Sequence, residues 1–461
     1  MKKKIFSVIC AIALVVAIAL IFSSCYSDNG IEISNVLINE NGELIIVYSN
    51  GTEQNLGTVV GEDGEDGLNG KDGENGKDGE NGKDGKNGVD GKDGSLVITS
   101  DGSSIPAASS KGLRSAVSIV CNFQATVQQG GWRPGSGSTT TKEYSSAGSG
   151  VIYKMDKASG DAFIITNYHV VYDASSNTDN GISDDINVFL YGSESTDKSI
   201  KAIYVGGSLY YDIAVLRIED SEILKNSNAC EVEVANSDNV YVGDTAIAIG
   251  NAKGYGISAS FGIVSVDSEH ITMTAADGKT EVSFRVMRVD TAVNSGNSGG
   301  GLYDNEGKLI GIVNAKVIDD GVENIGYAIP SNIAVSIAEN IIDYCYNSDN
   351  ERVQRALLGI TVSTVESKAV YNSETGMVKI EETVAIYEVT EGSLAEGVLQ
   401  SDDVFVSVTV KGKTTEIIRQ YHIIDIMLDA RVGDTVTFNI LRDGTELTVN
   451  IIITEECLTE Y

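Results

Sequence analysis

The amino-acid sequence predicts a mostly β protein built as a string of modules, and three observations carry that prediction. Across residues 113–346, short apolar runs (FIITNYHVV, INVFLYG, DIAVLRI, DTAIAIG, ISASFGIVSV, SFRVMRVD, KLIGIVNAKV) alternate with turn residues, as in an all-β barrel or sandwich. Residues 352–461 make a second, smaller module that closes on VTFNILRDGTELTVNIII, a hairpin turning at Asp443-Gly444. Ahead of both, glycine returns at every third position from 61 to 94.

Taken in order, the chain opens on Lys2, Lys3 and Lys4, followed by the apolar stretch IFSVICAIALVVAIALIF at 5–22. Ser23-Ser24-Cys25 then resembles a bacterial lipoprotein cleavage site, which makes residues 1–24 a signal peptide and Cys25 the lipidated first residue. The other reading is an uncleaved anchor helix, since about 18 apolar residues can just span a bilayer. Either one places the remainder at the bacterial cell surface, outside the cytoplasm. Residues 25–60 hold short strands broken at Asn41-Gly42 and Asn50-Gly51, which predicts a small β-hairpin module.

The strict Gly-X-Y period at 61–94 is the pattern of a collagen triple helix, where only glycine fits at the crowded axis. That geometry needs three chains; the other reading of the tract is a flexible Gly/Asp/Asn/Lys spacer. The tract contains no proline, because the only prolines are Pro106, Pro134 and Pro330. What remains is pairing of Lys with Asp and Glu, and exposed ion pairs contribute only about 0.2–1 kcal/mol each. A stalk of about 100 Å, at roughly 3.1 Å per residue, therefore needs its ends held together by other trimeric parts. Residues 95–112 read as a Ser/Gly/Ala linker, and a helix is expected at 331–346, with Ser331 as its N-cap after Pro330.

The formal charge of −33 argues against nucleic acid as a partner. Beyond the signal and Cys25, the cysteines are Cys121, Cys230, Cys345 and Cys457. They lack CxxC or metal-ligand spacing and are expected to be buried free thiols. No cofactor and no obligatory metal are predicted.

Chemistry is concentrated in three places. His169 sits in TNYHVV after the run AFIIT, Asp212 opens DIAVL, and Ser298 sits in NSGNSGGG. A serine hydroxyl is a weak nucleophile at neutral pH. It needs a base in hydrogen-bond reach, and the base needs a carboxylate to hold its tautomer. The chain order His, Asp, Ser is one of the known triad orders. Glycines beside the serine let the backbone turn and aim N–H groups at a developing oxyanion.

TNYHVV, DIAVL and GNSGGGL, followed by GKLIGIVNA and NIGYAIPSN, resemble the HtrA/Deg serine protease family over residues 113–346. The resemblance implies a chymotrypsin-like double β-barrel with His169 as general base, Asp212 as its orienting carboxylate and Ser298 as nucleophile. The oxyanion hole would use backbone N–H groups of Gly296, Asn297 and Ser298. The family usually carries proline where this chain has Ser295 and Gly301, and both changes imply a looser loop. Residues 352–461 resemble the PDZ domain of that family: Leu357, Leu358, Gly359 and Ile360 match its carboxylate-binding loop, and EGSLAEGVLQSDDVF (391–405) matches a further segment, with Leu394 and Ser401 departing from it. The resemblance also implies a homotrimer acting on unfolded or damaged exported proteins and peptides, held to the membrane through its lipid anchor. The alternative reading is a stalked, non-hydrolytic PDZ binding protein or chaperone.

Overall fold

The computed structural model describes residues 33–38, 43–58, 104–129, 138–193, 198–315, 325–348, 353–373 and 376–460. The signal at 1–24, Cys25, the Gly-X-Y tract at 61–94 and Asn41-Gly42 lie outside the described residues. Among the described residues, no helix is long and apolar enough to cross a membrane. They fall into two units, divided between residues 91 and 92.

The first unit holds a three-stranded antiparallel sheet of β1 (Ile33–Ile38), β2 (Glu43–Tyr48) and β3 (Glu53–Thr58). Asn50-Gly51 makes the second turn. Gly51 takes a φ of +81°, open only to residues without a Cβ penalty, while Asn50 Oδ1 accepts the Thr52 N–H at 3.0 Å.

The second unit opens with α1 (Ile105–Ser115). This corrects the linker expected at 95–112, whose last turns are helical. Ser104 Oγ accepts the Ala107 N–H, Pro106 stands in the first turn, and Ala108, Gly112 and Ser115 line one buried face. The polar, small-residue composition hid this helix, because its packing face is made of Ala, Gly and Ser. A Cβ at Gly112 would lie 2.6 Å from Ile249 Cδ1, so the glycine is what lets α1 approach the barrel.

Two closed six-stranded barrels follow. The first runs β4 (Ala116–Gln129), β5 (Ser138–Asp156), β6 (Asp161–Thr166), β9 (Ile213–Ile218), β8 (Ile200–Ser208) and β7 (Asp185–Leu190) around the barrel. The second runs β10 (Thr245–Gly250), β11 (Ser258–Thr274), β12 (Glu281–Val289), β15 (Gly326–Pro330), β14 (Leu309–Val313) and β13 (Gly301–Tyr303). The sequence DINVFL of β7 alternates buried and half-buried positions, the period of two that a barrel wall needs. Val117, Ile119, Ile164, Val188 and Leu216 fill the first barrel, and Ala246, Val264, Met287, Leu302 and Val313 fill the second. The protein is therefore mostly β with a chymotrypsin-like double barrel.

After the second barrel comes α4 (Ser331–Ile341; α2 and α3 are the single turns Tyr168–Val171 and Glu222–Lys225), which widens into a π turn at Ile342–Tyr346. Ser331 is not its cap. Pro330 holds the N-cap position, and the Ser331 hydroxyl instead donates to Ala235 O at 2.7 Å, tying the helix to the preceding loop. The four cysteines are free thiols, with Cys121 buried and the other three half-buried, which corrects the expectation that all four are buried. Burial pushes the Cys121 thiol up to about 12.

The C-terminal module is an antiparallel sheet of β17 (Ile360–Asn372), β18 (Met377–Val389), β19 (Val404–Val410), β21 (Thr435–Arg442) and β22 (Thr445–Ile452), with β20 (Lys413–Glu416) paired to β19 and α5 (Tyr421–Met427) packed beside it. The strands β16 (Gln354–Ala356) and β23 (Leu458–Glu460) clasp its two ends. The closing hairpin turns at Asp443 and Gly444, both with positive φ, as its sequence predicts. The module meets the second barrel through charge. Arg285 of β12 is buried, donates to Asp425 Oδ2 at 2.5 Å and covers the Tyr421 ring at 3.8 Å from its centroid. Lys379 Nζ donates to Asp238 O at 2.7 Å, and Arg419 Nη1 donates to Asp267 at 3.2 Å.

Candidate active site

His169 lies in α2, at the end of β6, and Asp212 lies in the turn entering β9. Because β6 and β9 are neighbours, pairing Thr166 with Ala214, the two residues are delivered side by side. Asp212 is 4% exposed and takes a φ of +55°, unusual for a residue with a side chain. Its carboxylate grips His169 twice: Oδ1 accepts the backbone N–H at 2.9 Å and Oδ2 lies 2.6 Å from Nδ1. A carboxylate on Nδ1 selects the Nδ1–H tautomer and leaves the Nε2 lone pair able to accept a proton. Asn167 Nδ2 holds the backbone oxygen of Asp212 at 2.8 Å.

Asn314 completes the carboxylate's partners. It is fully buried after β14, and its Nδ2 donates to Asp212 Oδ2 at 3.0 Å. Sequence reasoning missed it, although it stands in the quoted run GKLIGIVNA, because nothing local says that this amide reaches residue 212. Asn314→Leu is expected to lower kcat about 10- to 100-fold with little change in KM. A hydrogen bond to a charged group is worth about 1.5–3 kcal/mol, and each 1.4 kcal/mol is tenfold. Steady-state kinetics on a fluorogenic peptide checks this.

Ser298 is 6% exposed and shares a cleft of about 510 Å³ with His169, Ser295, Gly296, Asp277 and Ala315. No hydrogen bond joins Ser298 to His169 in this structure. The loop before Ser298 is held by its carbonyls. Ser295 O accepts from Lys253 N at 2.7 Å, Asn297 O from Gly300 N at 2.9 Å and Ser298 O from Ser149 N at 2.8 Å. Gly296 O accepts from Ser149 Oγ at 2.7 Å. Gly296 takes a φ of +94°, and a Cβ there would lie 2.3 Å from Asn251 O, so the turn requires glycine.

Among the described residues, the N–H groups of Gly296 and Ser298 donate to nothing. Asn297 differs from expectation: its N–H donates to Asn294 O at 2.9 Å and is not free to meet a ligand. The turn that frees its two neighbours consumes it.

The glycine at 301 is not a source of looseness. Gly301 is buried and begins β13, paired with Ile249 and Ile312. A Cβ there would lie 2.4 Å from the Tyr303 ring, which fills the space itself and meets Ser115 of α1. Gly301→Ala should therefore destabilise the fold by about 1–3 kcal/mol through overpacking, and Gly301→Pro by more, because proline also brings no N–H to a strand paired on both sides. Thermal unfolding of both variants is the measurement.

The other two histidines lie elsewhere. His422 is buried in the C-terminal module, with Nδ1 3.0 Å from Glu416 O, and burial lowers its pKa. His270 lies on β11 beside the loop at 357–360, its pKa also lowered by burial. In that loop Leu357 is exposed and its N–H goes to Cys457 O, Leu358 is buried, Gly359 takes a φ of +73°, and Ile360 begins β17. All four line a cavity of about 480 Å³ with Ile423 and Met427 of α5 and with Tyr211 and Phe284 of the barrels.

This geometry can be set beside known proteins. The description "Trypsin-like peptidase domain" matches residues 148–312, a span that includes His169, Asp212 and Ser298. The chain is 34% identical over 348 residues to the serine protease Do-like HtrA of Bacillus subtilis, covering 74% of this chain and 70% of that one. The chain belongs to the HtrA family of serine proteases. The HtrA of Lactococcus lactis subsp. cremoris is 31% identical, covering 76% of this chain and 82% of its own. The periplasmic serine endoprotease DegP of Escherichia coli K12 is 29% identical, covering 71% and 61%. This HtrA-family chain is thus a serine endopeptidase with a trypsin-like domain.

Proposed function

We propose that His169, Asp212 and Ser298 form the catalytic triad, and that the protease cleaves unfolded or damaged exported proteins. One observation carries the reading: the buried Asp212 carboxylate holds both the backbone and the ring of His169 in the cleft that Ser298 lines. Ser298 Oγ attacks the scissile carbonyl while its proton passes to His169 Nε2. The N–H groups of Gly296 and Ser298 receive the oxyanion. His169 then protonates the leaving amine, and water, deprotonated by the same nitrogen, releases the acyl group.

The remaining parts serve delivery. Residues 352–460 act as a PDZ domain in which backbone N–H groups of Leu358, Gly359 and Ile360 take a peptide's terminal carboxylate and β17 accepts the peptide as an added strand. The chain works outside the cytoplasm, which the periplasmic relative's name supports, and it does so at the bacterial surface. It is tethered through Cys25 and assembled as a homotrimer on the Gly-X-Y stalk of 61–94.

Labelling of the soluble 26–461 chain with a fluorophosphonate, located by mass spectrometry, alongside β-casein digestion tests the chemistry. Label on Ser298 with casein cleavage is expected. Label elsewhere, or none with casein intact, would overturn the reading. The unformed Ser298–His169 hydrogen bond favours a second reading, the stalked binding protein, which predicts peptide capture without cleavage.

A further inference from the structure

We propose that Ser149 is a positioning residue for peptide hydrolysis: its hydroxyl fixes the plane of the Gly296–Asn297 peptide and thereby sets the two N–H groups that meet the oxyanion. This rests on the reading of Ser298 as nucleophile. Ser149 belongs to β5 of the first barrel, while the loop it braces belongs to the second. Its side chain is fully buried between them.

The hydroxyl is committed at both ends. It donates to Gly296 O at 2.7 Å and accepts the Asn251 N–H at 2.8 Å. Asn251 is itself anchored, its Nδ2 donating to Ser118 Oγ at 2.7 Å and its Oδ1 accepting the Gly256 N–H at 2.8 Å. The donor is therefore held in one orientation by a chain of buried groups. The main chain of Ser149 adds two ties, from its N–H to Ser298 O at 2.8 Å and from Thr166 Oγ1 to its own oxygen at 2.7 Å.

Of the four carbonyls from residue 295 to 298, three are held by backbone N–H groups, which no substitution short of proline removes. Only that of Gly296 is held by a side chain. It is also the weakest point of the loop, because glycine adopts either sign of φ at little cost and its flanking peptides can rotate. In a trans peptide, C=O and N–H point in opposite directions. Holding Ser295 O by Lys253 turns the Gly296 N–H away from the 251–256 loop. Holding Gly296 O by Ser149 keeps the following plane from swinging that carbonyl toward the cleft. Freed of Ser149, the Gly296 oxygen would lose its donor and the Asn297 N–H its fixed bond to Asn294. The two oxyanion donors would then no longer be set in advance.

The expected signature is loss of transition-state stabilisation with substrate binding intact. Ser149→Ala should lower kcat on a fluorogenic peptide about 100-fold, near the lower end for loss of an oxyanion donor, with KM within about twofold. Affinity for a peptide boronic acid, a tetrahedral analogue, should fall in step with kcat/KM. Ser149→Cys, similar in size and a weak donor, should lie between Ala and wild type. An Ala variant with unchanged kcat, or one whose loss lies in KM, would overturn the inference. If the Ala variant does not fold, the Cys variant carries the test, and an unchanged kcat there would overturn it equally. A wild-type chain that neither turns over peptide nor takes a fluorophosphonate would overturn the nucleophile reading itself, and this inference with it.

Discussion

Asp212→Asn is expected to lower kcat by about four orders of magnitude while leaving the fold and KM nearly unchanged. The carboxylate accepts from three N–H groups with two oxygens: the His169 backbone at 2.9 Å, Asn314 Nδ2 at 3.0 Å and the His169 ring at 2.6 Å. An amide has one oxygen and one NH2. If the NH2 faces the imidazole, it donates to Nδ1, and the ring proton moves to Nε2, where it blocks proton transfer from Ser298. If the oxygen faces the imidazole, the NH2 meets the His169 backbone N–H, donor against donor, and the backbone grip is lost. Either way the base is in the wrong tautomer or the wrong place, and the imidazolium formed during attack lacks its counter-charge. Fluorophosphonate labelling rates and kcat on a peptide check this. Labelling at the wild-type rate would contradict the role given to Asp212.

Arg285→Met is expected to lower stability by up to about 3–5 kcal/mol, because it leaves two half-buried carboxylates without their buried cation. Arg285 is 3% exposed, and Asp425 and Asp238 both face it. Burial pushes the Asp425 carboxyl up to about 6, against the pull of Arg285 and with Asp238 and Asp429 adding to the rise. The folded state therefore binds this proton more tightly than the unfolded chain, whose carboxyl stays near its ordinary value of about 3.9. Protonation supports the fold below about pH 6, and that support is lost as pH rises through 6. In Arg285→Met the penalty should be full at pH 8 and smaller near pH 5, where Asp425 can stay neutral. Pairing Arg285→Met with Asp425→Leu should recover much of the loss at pH 8, since replacing both ions by apolar groups is often neutral. Thermal unfolding at the two pH values is the measurement, and a penalty independent of pH would show that Asp425 is not the group left unpaired.

Some of this was legible because it is written locally. His169 after a strand, Asp212 opening DIAVL and Ser298 among glycines are short patterns whose chemistry depends on their immediate neighbours. The β runs and their turns likewise declared an all-β barrel or sandwich, while the double barrel was what the family resemblance implied. The misreadings share one cause. Asn297 was an expected oxyanion donor because the family resemblance implies it, yet its N–H is spent on Asn294 by the turn. Ser331 looked like a cap because it follows Pro330, yet its hydroxyl goes to Ala235. Gly301 looked like looseness because its neighbour in space, Tyr303, was not counted. In each case the deciding contact, near in sequence for Asn297 and Gly301 and 96 residues away for Ser331, is one that only the folded backbone shows.

By itself the sequence determined the class of the fold, the order of its modules and the residue types that the chemistry needs, because period, turn residues and charge act over a few neighbouring positions. Tertiary structure alone decided which groups meet. Asn314 reaches Asp212 from 102 residues away and Ser149 reaches Gly296 from 147 away, each across the seam between barrels. A hydrogen bond needs its atoms within about 3 Å, and only barrel closure brings residues so far apart along the chain to that distance.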